Sequence, residues 1–185
     1  KHDEEQFEFP QQKNGKIAFG STIVDAGPET LWAPNNARFP MPPARIKNLS
    51  LTADAFQLGL GRPMSALDDD NGETVEMLRE YGRITGQRVT VVQLPPGVEI
   101  EPLIERLALT DDPNVKSGLE PELQQIGQAI LEGHILVLRG CGNVPSNKLE
   151  RLNSLADGRR YLLRPNSNEK LEAPPEFRMV MMRRP

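Results

Sequence analysis

Ala129-Ile130-Leu131-Glu132-Gly133-His134-Ile135-Leu136-Val137-Leu138 is the stretch that decides the fold. Ala129 and Ile130 close an apolar helical pattern, Gly133 stops it, and four apolar residues follow at once. A run apolar at both parities suits a strand covered on both faces, as in a parallel sheet. Upstream, Leu119, Leu123, Ile126 and Ile130 share one helical face, with Pro121 near its start, so the pattern predicts one helix ending at Gly133.

Two further segments read as buried strands. Arg88 to Leu94 is β-branched, mostly apolar and ended by Pro95-Pro96, and Phe177 to Met182 reads as the last strand. Met64 to Leu67 forms a shorter one, followed by a turn over Asp68 to Thr74 and a helical pattern through Val75, Leu78 and Ile84 that stops at Gly86. Pro43 to Leu60 repeats Ile46, Leu49, Ala53, Phe56 and Leu60 at helical spacing, with Gly59 and Gly61 ending it. Ser146 is placed to cap a helix through Leu149, Leu152 and Leu155 that stops at Asp157-Gly158. Asn166-Ser167-Asn168 joins two short strands in a predicted hairpin. Strands alternating with helices predict an α/β fold with a largely parallel sheet over residues 43–185. Residues 1–42, polar and rich in Pro and Gly, read as a linker or small hairpin, with Phe7-Glu8-Phe9 and Ile17-Ala18-Phe19 about Asn14-Gly15.

Composition narrows the function classes. The 185 residues are 26% charged and 37% hydrophobic with a formal net charge of −4, which disfavours direct nucleic-acid binding. One cysteine, Cys141, permits no internal disulfide or cysteine zinc cage, and His2 and His134 form no cluster. Neither a metal nor a cofactor is expected, no apolar run is long enough to span a membrane, and a reducing compartment fits best. Cys141 lacks a sequence-evident base and reads as an inert thiol. His134 reads as a boundary or core residue, Met179, Met181 and Met182 as core, and Arg178, Arg183 and Arg184 as solvated or paired. Asp68 to Gly72 fails the calcium-loop pattern, because the first and last ligand positions would be Leu67 and Leu78. Gly59-Leu60-Gly61 lacks the third glycine of a dinucleotide fingerprint.

The order of these elements resembles the dynein-related AAA+ modules, most closely those of the midasin type. Gly61-Arg62-Pro63 before the Met64 strand, Tyr81 to Val89, Ala129 to Leu138, Leu149 to Asp157 and Pro175 to Arg178 carry the resemblance, roughly over residues 42–185. It implies a P-loop NTPase core in which the Val89, Ile135, Arg178 and Met64 strands lie side by side in that order. It also implies that the chain stops before the family's fifth strand and helical lid. The aligned phosphate loop would be Leu67-Asp68-Asp69-Asp70-Asn71-Gly72-Glu73-Thr74. Leu67 replaces the first glycine, Glu73 the lysine, and three aspartates fill the cradle. A single like-charge contact at ~4 Å costs about 4 kcal/mol at an effective dielectric of 20, against a helix dipole of only about half a charge. Arg139 and Gly140 stand where the Walker B acids belong, and Arg184 where the sensor 1 asparagine does.

The expectation is therefore a catalytically inactive module. By resemblance it is a structural part of a nuclear, ring-shaped ATPase that removes assembly factors from large ribosomal subunit precursors. Its partners would be neighbouring AAA+ modules of the ring and, again by resemblance, those pre-ribosomal factors. The alternatives are a free-standing protein-interaction domain on the same fold and, against the missing lysine and acids, an active MoxR-like chaperone ATPase. Because the lysine has become Glu73 and the Walker B aspartate Arg139, the charges have changed places. Glu73, or one of Asp68 to Asp70, is accordingly expected to pair with Arg139 or Arg184.

Overall fold

The computed structural model describes residues 11–19, 21–27, 43–59 and 62–184. Its centre is a four-stranded parallel sheet built from β4 (Met64–Leu67), β5 (Val89–Gln93), β8 (Ile135–Arg139) and β11 (Arg178–Arg183), in the order β4-β11-β8-β5. This is the strand order that the P-loop resemblance implies. The register pairs Val180 with Met64 and Val137, and Val91 with Val137.

Strand parity sorts the core into two layers. Ile135, Val137, Val180 and Met182 face one layer, and Leu136, Leu138 and Met179 face the other. β8 is buried along Ile135 to Leu138, as its both-parity apolar run requires. β5 departs from the expectation of burial on both faces: it borders the described sheet, and only Val92 of its residues is fully buried.

The first layer is formed by α1 (Pro43–Leu58) and α2 (Glu73–Thr85), whose Leu49, Ala53, Phe56, Val75, Leu78, Tyr81 and Ile84 meet the sheet. α2 ends at Gly86, which adopts the left-handed conformation. Outside these helices lies an antiparallel sheet of β1 (Gln11–Lys13), β2 (Lys16–Phe19) and β3 (Thr22–Asp25). The stretch read as a linker or hairpin thus contributes Ile17, Phe19 and Val24 to the core. Its turn is Asn14-Gly15, as expected, whereas Phe7 to Phe9 lie outside the described residues, as does Gly61. The β3 hydroxyl of Thr22 donates to Asp54 of α1, and the Gly27 amide donates to the Thr85 carbonyl at 2.6 Å. Gly27 approaches so closely that a Cβ there would stand 2.3 Å from the Gly86 oxygen.

On the other face, residues 119–130 correct the sequence reading. The expected single helix is instead strand β7 (Leu119–Leu123) followed by α4 (Gln125–Leu131). β7 pairs antiparallel with β6 (Glu105–Leu109), which follows the one-turn helix α3 (Glu101–Ile104). Pro121 withholds an amide, and pairing with β6 across the loop of residues 110–118 decides the conformation. At the base of this hairpin the Glu105 side chain is fully buried. It accepts from Arg164 at 2.5 Å and from the Asn166 backbone and side-chain nitrogens at 3.0 and 3.1 Å.

The segment after β8 also differs. It is broken into α5 (Ser146–Leu149), a 3-10 turn (Glu150–Leu152) and α6 (Asn153–Ala156), and Pro145 rather than Ser146 takes the cap position, with no side-chain capping bond. Leu152 and Leu155 are buried as expected. β9 (Tyr161–Leu163) and β10 (Lys170–Glu172) form the hairpin foreseen about residues 166–168. Among the described residues, no helix is long and apolar enough to cross a membrane.

Candidate functional site

The loop expected to cradle phosphate lies between β4 and α2, at the carboxyl end of the sheet, where ligands bind in open α/β folds. Leu67 is exposed at the end of β4. The Asp68 amide then donates to the Arg183 carbonyl at 2.8 Å, extending the pairing of β4 with β11 by one residue. That bond fixes the backbone so that the Asp68 side chain turns inward across the end of β11.

There it meets Arg139, the last residue of β8. Arg139 donates to Asp68 Oδ1 from Nε at 3.0 Å and from Nη2 at 2.5 Å. The Asp68 side chain is 5% exposed and that of Arg139 29%. The hydrogen bond that Arg139 donates to Asp68 raises the Arg139 pKa above its ordinary value, against the effect of burial, and the fields of Asp68, Asp69 and Asp70 add to it. Of the pairings foreseen, this is the one that forms. Glu73 is exposed on the first turn of α2 with no ion-pair partner among the described residues, and Arg184 is likewise exposed beyond β11. Asp70 also faces solvent.

A second carboxylate occupies the helix N-terminus. Asp69 Oδ2 accepts from the Thr74 amide at 3.1 Å and from its hydroxyl at 3.5 Å. Gly72, in the left-handed conformation, sets the start of α2, and the Glu76 amide donates to its carbonyl at 3.0 Å. A first-turn amide that could greet a phosphate is therefore engaged by the protein's own anion. Sequence reasoning missed this contact, although an aspartate just before a helix is a capping signal.

Gly140 adopts φ 77°, and a Cβ there would stand 2.7 Å from the Leu94 carbonyl oxygen. The Leu94 amide donates to the Arg139 carbonyl at 2.9 Å, holding the two segments at that separation. The position that the resemblance assigns to a water-activating glutamate thus has neither the conformation nor the space for a side chain.

Of the remaining candidates, Cys141, His134, Met179, Met182 and Arg178 are buried or half-buried. Cys141 is buried beside the Leu138 carbonyl, and burial pushes its thiol pKa up. His134 contacts Glu132 through Nε2 and Thr90 through Nδ1, each at 2.9 Å. Met179 and Met182 are buried, and Arg178 is half-buried, donating to the Pro175 and Phe177 carbonyls.

Comparison with known proteins agrees with this geometry. No curated protein matches the chain. A proposed ATPase from Cytophaga hutchinsonii superposes with a TM-score of 0.52 at 10% identity, covering 77% of this chain and 44% of that one. NtrX from Brucella abortus in complex with ADP gives 0.49 at 14% identity, covering 80% of this chain and 31% of that one. The chain thus spans less than half of either structure. The family model described as AAA domain (dynein-related subfamily) matches residues 75–184, more than half of the chain and beginning just after the phosphate-loop positions. With a parallel β4-β11-β8-β5 sheet flanked by helices and that match, the chain belongs to the dynein-related subfamily of AAA domains.

Proposed function

We propose that this AAA domain neither binds nor hydrolyses ATP and serves as a structural module of a ring-shaped ATPase. The ion pair between Asp68 and Arg139 carries the reading, because it places an internal salt link across the mouth of the phosphate loop. A triphosphate entering there would have to part that pair, displace Asp69 from the Thr74 amide and approach Asp70 and Glu73. Stranding the buried Asp68 costs about 2–3 kcal/mol, less than for a fully buried pair because Arg139 is partly solvated, and losing the cap about 1 kcal/mol more. Hydrolysis would further need a magnesium ligand and a base where Arg139 and Gly140 stand.

By resemblance to the midasin type, the parent machine acts in the nucleus, removing assembly factors from large ribosomal subunit precursors. This module then contacts its neighbours in the ring and, through them, those factors, without touching a membrane or nucleic acid itself. Calorimetric titration with Mg-ATP tests the first half. No saturable heat is expected, and a micromolar dissociation constant would overturn the reading.

A further inference from the structure

The amino end of the same sheet holds a cavity of about 380 Å³ between β3, α1, α2 and the turn that leads into β11, lined among others by Phe56, Tyr81, Gln87 and Arg178. Tyr81 is 2% exposed, its ring stacked on Phe19 at 5.5 Å and meeting Phe56 edge-on at 5.4 Å. Its hydroxyl has no hydrogen-bond partner among the described residues, yet it is not a sealed atom, so it reaches the cavity. Burial raises its pKa well above the ordinary tyrosine value, which keeps the hydroxyl a donor.

Arg178 stands beside it. One terminal nitrogen donates to the Pro175 and Phe177 carbonyls at 2.6 and 2.8 Å, and no carboxylate among the described residues forms an ion pair with the guanidinium. Burial, and then the nearby Arg160, lower its pKa, while Tyr81 and Glu176 act in the opposite sense. A half-buried cation with no ion-paired carboxylate among the described residues, next to a buried hydroxyl with no partner among them, is what an absent anion would complete.

The rest of the lining narrows the anion. Asp25 and Glu176, both exposed, border the cavity and oppose a multiply charged group. The Phe56 and Tyr81 rings favour an apolar body, and the volume falls at the small end of ligand pockets. We propose that this cavity binds a small organic monocarboxylate with an apolar body, its carboxylate received by the Tyr81 hydroxyl and the Arg178 guanidinium. The site is independent of the nucleotide loop, at the other end of the strands.

Phenylacetate is the probe, titrated against the whole chain by amide NMR, with inorganic phosphate and benzyl alcohol as comparisons. Saturable shifts at Gly27, Gln87 and Arg178 are expected with phenylacetate alone. Tyr81→Phe removes only an unpartnered hydroxyl and is expected to weaken binding roughly ten- to a hundredfold, the effect of one hydrogen bond to a charged group. Arg178→Gln is expected to weaken it at least as much, and decides the matter should Tyr81→Phe not fold. The proposal is overturned if phenylacetate does not saturate at millimolar concentration, if phosphate or benzyl alcohol binds as tightly, or if the folded variants retain full affinity.

Discussion

The two ends of one sheet treat their polar groups in opposite ways. At the carboxyl end, Asp68 is bound to Arg139 and Asp69 Oδ2 to the start of α2, so the inward-turned carboxylates find partners within the protein, although Asp69 Oδ1 is buried with none among the described residues. At the amino end, the Tyr81 hydroxyl and the Arg178 guanidinium border a cavity and have no anion of their own among the described residues. In a fold whose ligand normally sits at the carboxyl end, the function proposed above means that position within a fold does not by itself make a site. What distinguishes a closed pocket from an open one is whether its donors and acceptors are already spent.

The comparison breaks most readily at Gly140. Gly140→Glu restores the glutamate that hydrolysis would require, yet it forces a side chain into a left-handed residue pressed on Leu94. A loss of about 3 kcal/mol or more in urea unfolding is expected, with no gain in ATP binding. A variant as stable as its parent would show that this end of the sheet tolerates reopening.

The ion pair is the next test. Arg139→Ala is expected to cost about 2–3 kcal/mol by stranding Asp68, and Asp68→Ala to lose less, because Arg139 can turn to solvent. The double mutant should recover a coupling of at least about 1 kcal/mol, whereas zero coupling would reduce the pair to proximity.

The smallest effect supplies the scale. Glu80 and Arg83 pair on the surface of α2 at 2.6 Å, and Arg83→Gln is expected to cost about 0.5 kcal/mol or less. Arg83 holds the Glu80 pKa below the ordinary carboxylate value through its hydrogen bond, against desolvation. The contribution is therefore full above that ordinary value and fades as pH falls through the lowered one. Urea midpoints of parent and variant should converge in acid. If they stay apart there, packing of the Arg83 stem rather than charge is responsible.

The sheet was legible because Ile135 to Leu138 and Met179 to Met182 are apolar at both parities, a pattern that fits a strand covered on both faces. Residues 119–123 were not. Leu119 and Leu123 fall in helical phase with Ile126 and Ile130, and only pairing with the Glu105–Leu109 segment makes them a strand. The Asp68–Arg139 contact was one of several pairings suggested by the charges that the resemblance places at the motif positions, whereas Glu73, from which the exchange of sign was read, has no ion-pair partner among the described residues. Neither Asp69 on the Thr74 amide nor the Tyr81 cavity has such a signature. The first depends on where the turn places a carboxylate, and the walls of the second come from five separate segments of chain.

The outer sheet of β1, β2 and β3 has a consequence for the order of folding. Phe19 rests on Tyr81, and Ile17 and Val24 share a core with Val180 and Met182 of β11, which is made after every other element described above. Three short strands with so little surface of their own gain most of their stability from that late-arriving layer. During synthesis they must wait, uncommitted, while the rest of the chain is made, and the Gly27 contact with Gly86 can close only after α2 has formed. These early-made strands thereby settle only once much later segments have arrived.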